Sequence, residues 1–188
     1  MAELTKTMGR VEGILEETNQ FWYDRLQITS TTTSLTYFQT PMSGSKSKLY
    51  TNMTQAGVLP VPKMMRVFVV RFALDSACLV GDAKYIVDGS YMEFWVNDKI
   101  AIEGPVGVFS QGMGVTGTVA TTANNTTKET ALNGIADSRS IFVLKHSIDI
   151  GVQTPFRIEL HIPTALSSLS ASTYAMFMLE GETWRGVS

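Results

Sequence analysis

The sequence has a single cysteine, Cys78, and no run of about 18 apolar residues. One cysteine excludes a disulfide within the chain, and its apolar neighbourhood, residues 77–80, is typical of a small buried hydrophobic side chain. Because no long apolar run is present, the sequence predicts no membrane-spanning helix. Residues 1–10 also lack the apolar segment of a signal peptide, so we expect the protein to fold in a cytoplasm.

The sequence has no excess of charge of either sign. Fifteen Lys and Arg stand against seventeen Asp and Glu, which gives a net charge of -2. A surface that coats DNA normally shows a basic excess or a basic stripe. Five basic residues are the strongest candidates for such a stripe, but a strand places its side chains on two opposite faces. We therefore expect no specific nucleic-acid binding. These candidates are Lys46, Lys48, Lys63, Arg66 and Arg71.

Groups that carry catalysis are scarce. The two histidines, His146 and His161, both lie in predicted strands, and neither has the spacing of a cupin-type metal site. Residues 137–140 lack the glycines of a nucleophile elbow, and the glycine pattern at 112–117 has no strand-loop-helix unit around it. A group of acidic residues fits no calcium loop and is typical of turns: Asp75, Asp82, Asp88, Glu93, Asp98 and Glu103. The sequence therefore predicts no catalytic residues, no cofactor, no metal site and no enzymatic activity.

Residues 156–162 alternate apolar and polar side chains without an error. This period of two predicts a strand with one buried and one solvated face. The buried face holds Phe156, Ile158, Leu160 and Ile162, and the solvated face holds Arg157, Glu159 and His161.

Further segments are rich in threonine, β-branched and aromatic residues and are bounded by turn residues. They predict strands at 29–39, 49–53, 64–74, 91–96, 99–104, 141–150, 174–179 and 184–187. Asn97 and Asp98 predict a hairpin turn between two of them, and residues 111–133 predict a long loop. Each strand has an apolar face that a second sheet can cover, so we expect an antiparallel β-sandwich of the jelly-roll type.

The first residues show a different period. Leu4, Met8, Val11 and Leu15 follow one another at helical steps, which predicts a short amphipathic helix within residues 3–20. Gly9 and Gly13 weaken it, so the helix needs a surface to lie on. That surface is either its own domain or a neighbouring subunit. We therefore divide the chain into an N-terminal helical arm, residues 1–28, and a jelly-roll β-sandwich domain, residues 29–188.

The sequence has more aromatic residues than one face of a core easily accommodates. Aromatic side chains are enriched at protein interfaces. Together with the helical stripe they give our candidate subunit interface: Leu4, Met8, Val11, Leu15, Phe21, Trp22, Tyr23 and Trp184.

The order of these features resembles small single jelly-roll capsid proteins of tailless icosahedral bacteriophages, including those with an internal membrane. The similarity lies in the N-terminal arm, the strand-rich body with its long loop, the segment 49–60 that leads into the strand at 64–74, and the closing stretch 179–187. The resemblance implies a capsid subunit of the virion that assembles with copies of itself. It also implies contact with a second capsid protein or with the internal membrane.

Two other functions fit a small β-sandwich without catalytic groups. One is a carbohydrate- or receptor-binding module, such as a spike or a lectin-like head, which would present an aromatic platform beside amide and acid side chains. The other is a barrel that binds a small molecule. The sequence alone does not separate these from an assembling capsid subunit.

Overall fold

A computed structural model describes residues 14–18, 20–75, 78–110, 116–120, 128–132, 142–163, 169 and 172–187. Within these ranges the chain is mostly strand. The elements in chain order are β1 (Ile14–Thr18), β2 (Trp22–Ile28), β3 (Ser34–Tyr37), β4 (Lys63–Leu74), α1 (Val80–Gly89), β5 (Tyr91–Val96), β6 (Lys99–Pro105), α2 (Val106–Phe109), β7 (Thr116–Ala120), β8 (Lys128–Leu132), β9 (Val143–Ile150), β10 (Phe156–His161) and β11 (Thr173–Val187).

The strands form two main antiparallel sheets. In the larger sheet the order is β1-β11-β4-β9, and β2 also pairs with β11. The long strand β11 has room for both partners because β2 pairs with its first half, from Thr173 to Leu179, and β1 with its second half, from Thr183 to Val187. The smaller sheet has the order β3-β10-β5-β6, and β7 and β8 form a separate hairpin.

The core lies between the two main sheets. Tyr37 of β3 and Phe177 of β11 belong to opposite sheets, and their rings meet edge to face with centroids 4.8 Å apart. Phe156, Ile158 and Leu160 of β10 are buried in the same cluster as Phe72 of β4. Burial of the apolar faces of both sheets against each other makes the described part of the chain an all-β sandwich.

The alternation in residues 156–162 is confirmed. The four apolar side chains of this segment are buried, and Arg157, Glu159 and His161 are only partly buried. The predicted hairpin is confirmed as well, since β5 pairs with β6 around a turn in which Asn97 has a φ of 53°. Asparagine tolerates this left-handed conformation better than most residues, which is why the turn could be read from the sequence.

The helix predicted within residues 3–20 is not found in residues 14–18, which form β1. Tertiary contacts outweigh the helical spacing there: Arg185 donates to Glu16 at 2.6 Å, and the Thr18 hydroxyl donates to the carbonyl oxygen of Thr183 at 3.2 Å. Together with β2, this strand places the described part of the predicted arm inside the larger sheet. Residues 3–13 lie outside the described ranges.

Other expectations need correction. Residues 80–89 form helix α1, which we did not predict, although Ala83 and Ile86 are buried at helical spacing and Lys84 pairs with Asp88 one turn later at 2.9 Å. The predicted loop 111–133 contains the β7–β8 hairpin. The strands predicted at 174–179 and 184–187 are two parts of β11, and the strand predicted at 49–53 is reduced to one bridge from Thr51 to Asp24.

Cys78 is partly buried against the core rather than enclosed by it. Burial raises the pKa of its thiol, although a hydrogen bond involving Thr173 acts in the opposite direction. The prediction of a small hydrophobic side chain in the interior is therefore correct only in part.

Candidate functional site

Polar and aromatic side chains gather on the outer face of the smaller sheet. Because β10 and β5 are adjacent and antiparallel, Arg157 lies opposite Trp95, Glu159 opposite Glu93 and His161 opposite Tyr91. The buried positions of both strands alternate with these, so all six side chains leave the sheet on the same side. We call Tyr91, Glu93, Trp95, Arg157, Glu159 and His161 the outer-face cluster.

Neighbouring side chains orient each member of the cluster. The indole N–H of Trp95 donates to Oε2 of Glu93 at 3.0 Å, and Nε of Arg157 donates to Oε1 of Glu159 at 2.5 Å. The Arg157 guanidinium also lies 4.7 Å from the centre of the Trp95 ring, a distance typical of a cation–π contact. These contacts hold both carboxylates toward the centre of the cluster.

His161 is at that centre. Its Nε2 lies 3.6 Å from Oε2 of Glu93 and 3.5 Å from Oε2 of Glu159. The imidazole stacks on Tyr91, with ring centroids 4.8 Å apart and an angle of 20° between the planes. Nε2 is enclosed by its neighbours and has no hydrogen-bond partner among the residues that the structure describes. One atom from each of the two carboxylates and the imidazole therefore lies within 4.8 Å of the other two.

The carboxylates extend into a row across the sheet. Glu93 lies opposite Glu159 on one side and opposite Glu103 of β6 on the other. Like charges that face each other across strands destabilise a sheet. Arg157 offsets part of this repulsion through its contact with Glu159. A positively charged ligand would reduce the repulsion within this row of three carboxylates and so stabilise the sheet.

The described members of the candidate interface differ in exposure. Trp22 and Trp184 are only 1% and 8% exposed, so they belong to the interior of the chain. Phe21 is 51% exposed, Tyr23 is partly buried, and Leu15 is a residue of β1. Leu4, Met8 and Val11 lie outside the described ranges. Of the predicted aromatic cluster at 21–23, Phe21 is thus the side chain most open to a partner.

Phe21 lines a groove of about 370 Å³. Lys63 also lines the groove. Its ammonium donates to Oε1 of Gln20 at 2.8 Å and lies 5.2 Å from the centre of the Trp22 ring. Burial lowers the pKa of Lys63, and the nearby charge of Arg185 lowers it further. The other residues that line this groove are Tyr23, Met42, Lys48, Asn52, Thr54 and Pro60.

Most of the basic residues considered for nucleic-acid binding are paired with carboxylates. Lys46 contacts the fully buried Asp24 at 2.6 Å. Arg66 donates to Asp149 at 2.8 Å, and Arg71 lies 2.6 Å from Glu180. Their charges are compensated within the chain, and each pair also links two segments that are distant in sequence.

The outer-face cluster was missed by the sequence analysis. Glu159 and His161 were assigned to a solvated strand face, and Glu93 was included in the predicted strand 91–96 but was grouped with acidic residues typical of turns. The cluster depends on the pairing of β5 with β10, which brings together residues about 65 positions apart in the sequence. Alternation predicts which face a residue takes, but it does not predict which strand lies beside it.

No helix in the described ranges is long enough and apolar enough to cross a membrane. Comparison with known proteins adds no relative: no protein-family model, no curated protein and no solved structure matches this chain.

Proposed function

We propose that the sandwich is a jelly roll and that the protein is a structural protein that assembles with copies of itself, as a viral capsid subunit of a bacteriophage does. The observation that supports this proposal is the nesting of the strand pairs. β2 pairs with β11, β3 with β10, β4 with β9, and β5 with β6. Nested pairs of this kind are what a jelly roll requires, because its chain is one long hairpin that folds over both sheets. Jelly rolls are found in capsid and lectin domains.

The surface favours assembly among the functions open to this fold. Beside the groove at Phe21, two further apolar side chains are open to solvent: Leu49 is 68% and Val61 is 64% exposed. Their chain neighbours Lys48 and Pro60 line the groove with Phe21, so Leu49 and Val61 each follow a groove residue in the sequence. Exposed apolar groups that cluster mark interaction sites more often than isolated ones do. With a net charge of only -2, copies of the chain repel each other weakly.

Under this proposal the protein works in the virion, and its main partner is another copy of itself. A second capsid protein or an internal membrane then lies against the shell. These partners follow from the resemblance to internal-membrane phage capsid proteins, and the exposed apolar groups around the groove offer a surface for protein contact.

The outer-face cluster favours a second candidate, a carbohydrate-binding module. Tyr91 and Trp95 present aromatic rings beside the carboxylates of Glu93 and Glu159. A sugar ring can stack on such aromatic rings, and its hydroxyls can donate to such carboxylates. However, Arg157 covers one face of the Trp95 ring and His161 covers one face of the Tyr91 ring. Because these contacts reduce the area on which a sugar ring can stack, we place this function second.

Light scattering and negative-stain electron microscopy of the full chain test the assembly proposal. We expect discrete multimers or closed shells for the natural sequence. A double substitution, Phe21→Ser with Leu49→Ser, should shift the protein to monomers and leave the far-UV circular dichroism spectrum unchanged, since both side chains are exposed. Tyr85→Ser is the matched control: Tyr85 is also 51% exposed but lies on α1, outside the groove.

The proposal fails if the natural sequence is monomeric over the whole concentration range. Retention of that monomer on immobilised glycans would then establish the carbohydrate-binding function. Loss of assembly in the Tyr85→Ser control and not in the double variant would move the interface from the groove to α1.

A further inference from the structure

We propose that Glu93, Glu159 and His161 bind a divalent transition-metal ion, and that Zn²⁺ fits the site best. The ligating atoms of the three side chains lie within 4.8 Å of one another. The proposal does not depend on assembly, because all three residues belong to one sheet of one chain.

The distances agree with coordination. Zn²⁺ binds imidazole nitrogen and carboxylate oxygen at about 2.0–2.2 Å, so two ligands of a tetrahedral site are about 3.4 Å apart. Nε2 of His161 is 3.5 Å from Oε2 of Glu159 and 3.6 Å from Oε2 of Glu93. The ligand oxygens of Glu93 and Glu159 lie within 4.8 Å of each other, and a bound ion would draw them to about 3.4 Å.

The unpaired nitrogen of His161 is an independent observation that points to a ligand. Buried polar atoms in proteins nearly always have a hydrogen-bond partner. Nε2 of His161 is buried, faces two carboxylate oxygens, and has no hydrogen bond within the described part of the chain. A metal ion at the centre of the cluster would satisfy this nitrogen and both oxygens at once.

The charges also agree. Two glutamates and a neutral imidazole carry a charge of -2 together, which a divalent cation cancels. Without a cation, Arg157 and the indole N–H of Trp95 offset part of the repulsion between Glu93 and Glu159 across the two strands.

The surrounding residues act as the outer shell that metal ligands need. Arg157 holds Oε1 of Glu159, which leaves Oε2 directed toward His161. Trp95 fixes the carboxylate of Glu93, and Tyr91 fixes the plane of the imidazole by stacking on it. Such outer-shell contacts set the orientation and basicity of the ligands.

The choice of donors decides which ions bind. Ca²⁺ takes six to eight oxygen ligands, and Mg²⁺ prefers oxygen in an octahedral arrangement. An imidazole with two carboxylates suits Zn²⁺ and its first-row neighbours better. The three side chains are 19–26% exposed, so a fourth position is open to water or to a donor from another molecule.

Isothermal titration calorimetry of the full chain with Zn²⁺, without a polyhistidine tag, tests the proposal. We expect one ion per chain, and we expect Ca²⁺ and Mg²⁺ not to compete. Addition of Co²⁺ should produce the visible absorption bands of a four-coordinate ion. His161→Ala should lower the Zn²⁺ affinity by more than about 100-fold, and Arg157→Met by about 10- to 100-fold, as is typical of outer-shell residues.

His146 provides the matched control, because it is the other histidine of the sequence and lies exposed on β9. His146→Ala and Cys78→Ser should both leave the affinity unchanged. If His161→Ala does not fold, the double variant Glu93→Gln with Glu159→Gln keeps the shape of the cluster, removes its charge, and should lose binding.

Two results would overturn the proposal. The first is the absence of saturable Zn²⁺ binding by the natural sequence, which would show that the cluster holds no metal ion. The second is an affinity that survives both the loss of His161 and the loss of the two carboxylates, which would place the ion elsewhere.

Discussion

The hydroxyl of Tyr37 is buried in the core without a hydrogen-bond partner among the described residues. Its aromatic ring, in contrast, is well packed against Phe177. A buried polar group without a partner costs about 1–3 kcal/mol. Burial also raises the pKa of Tyr37 well above its usual value, and the negative charge of Asp24 adds to this rise.

Tyr37→Phe should therefore raise the free energy of unfolding by about 1 kcal/mol at neutral pH. The substitution should also weaken the loss of stability at high pH. In the unfolded chain the phenol ionises near pH 10, whereas in the folded chain it stays neutral. Below about pH 10 the phenol is neutral in both states, so the free energy of unfolding does not depend on its ionisation. Above about pH 10 the phenol ionises in the unfolded chain, which lowers the free energy of unfolding of the natural protein. Urea denaturation at pH 7 and pH 10.5 measures both effects.

Tyr23→Phe is the control for this substitution, because the Tyr23 hydroxyl donates to the carbonyl oxygen of Lys48. Removal of a hydroxyl that has a partner should lower the stability or leave it unchanged. Equal effects of the two substitutions would mean that the Tyr37 hydroxyl is as well satisfied as that of Tyr23.

At the scale of single elements, the pairing of β11 with β4 depends on a glycine. The register shifts between Glu180 and Gly181, so that Phe68 is an extra residue in β4. At this bulge the two backbones come close together. A Cβ atom at position 181 would lie 1.8 Å from the carbonyl oxygen of Arg66, a distance that no packing adjustment of side chains can relieve.

Gly181→Ala should therefore lower the free energy of unfolding by roughly 3 kcal/mol or more, since the two longest strands of the larger sheet must move apart. Gly44→Ala is the matched control: a Cβ at that loop position meets no atom within 4 Å, and its effect should stay within about 0.5 kcal/mol. Thermal denaturation of both variants compares them. A mild effect at position 181 would show that the bulge relaxes without disrupting the strand pair.

The same elements show what the sequence could predict. β10 and the β5–β6 hairpin were predicted correctly because their signals are local: a strict alternation in one case, and a turn at Asn97 that allows positive φ in the other. β1 was predicted as a helix because Leu15 continues the helical spacing of the apolar residues before it. The contact that decides for a strand joins Glu16 to Arg185, which lies 169 residues away. The outer-face cluster was missed for the same physical reason, since it exists only once β5 and β10 are adjacent.

At the scale of the whole molecule, the position of β1 separates two roles of the N-terminal residues. β1 is part of the larger sheet, and Gln20 accepts hydrogen bonds from Lys63 and from the Thr183 hydroxyl. Residues 14–18 and Gln20 thus contribute to the fold itself. The candidate interface residues Leu4, Met8 and Val11 precede β1, so their contribution to assembly can be tested without removing a strand.

Deletion of residues 1–13 should leave a folded protein that no longer assembles, because it removes these three apolar residues and keeps β1. Deletion of residues 1–20 should also lower the stability, because β11 then loses its partner over Thr183 to Val187 and Lys63 loses Gln20. Light scattering reports assembly, and the urea midpoint reports stability. If the shorter deletion assembles like the full chain, Leu4, Met8 and Val11 are not interface residues, and the exposed groups at Phe21, Leu49 and Val61 must carry the contact.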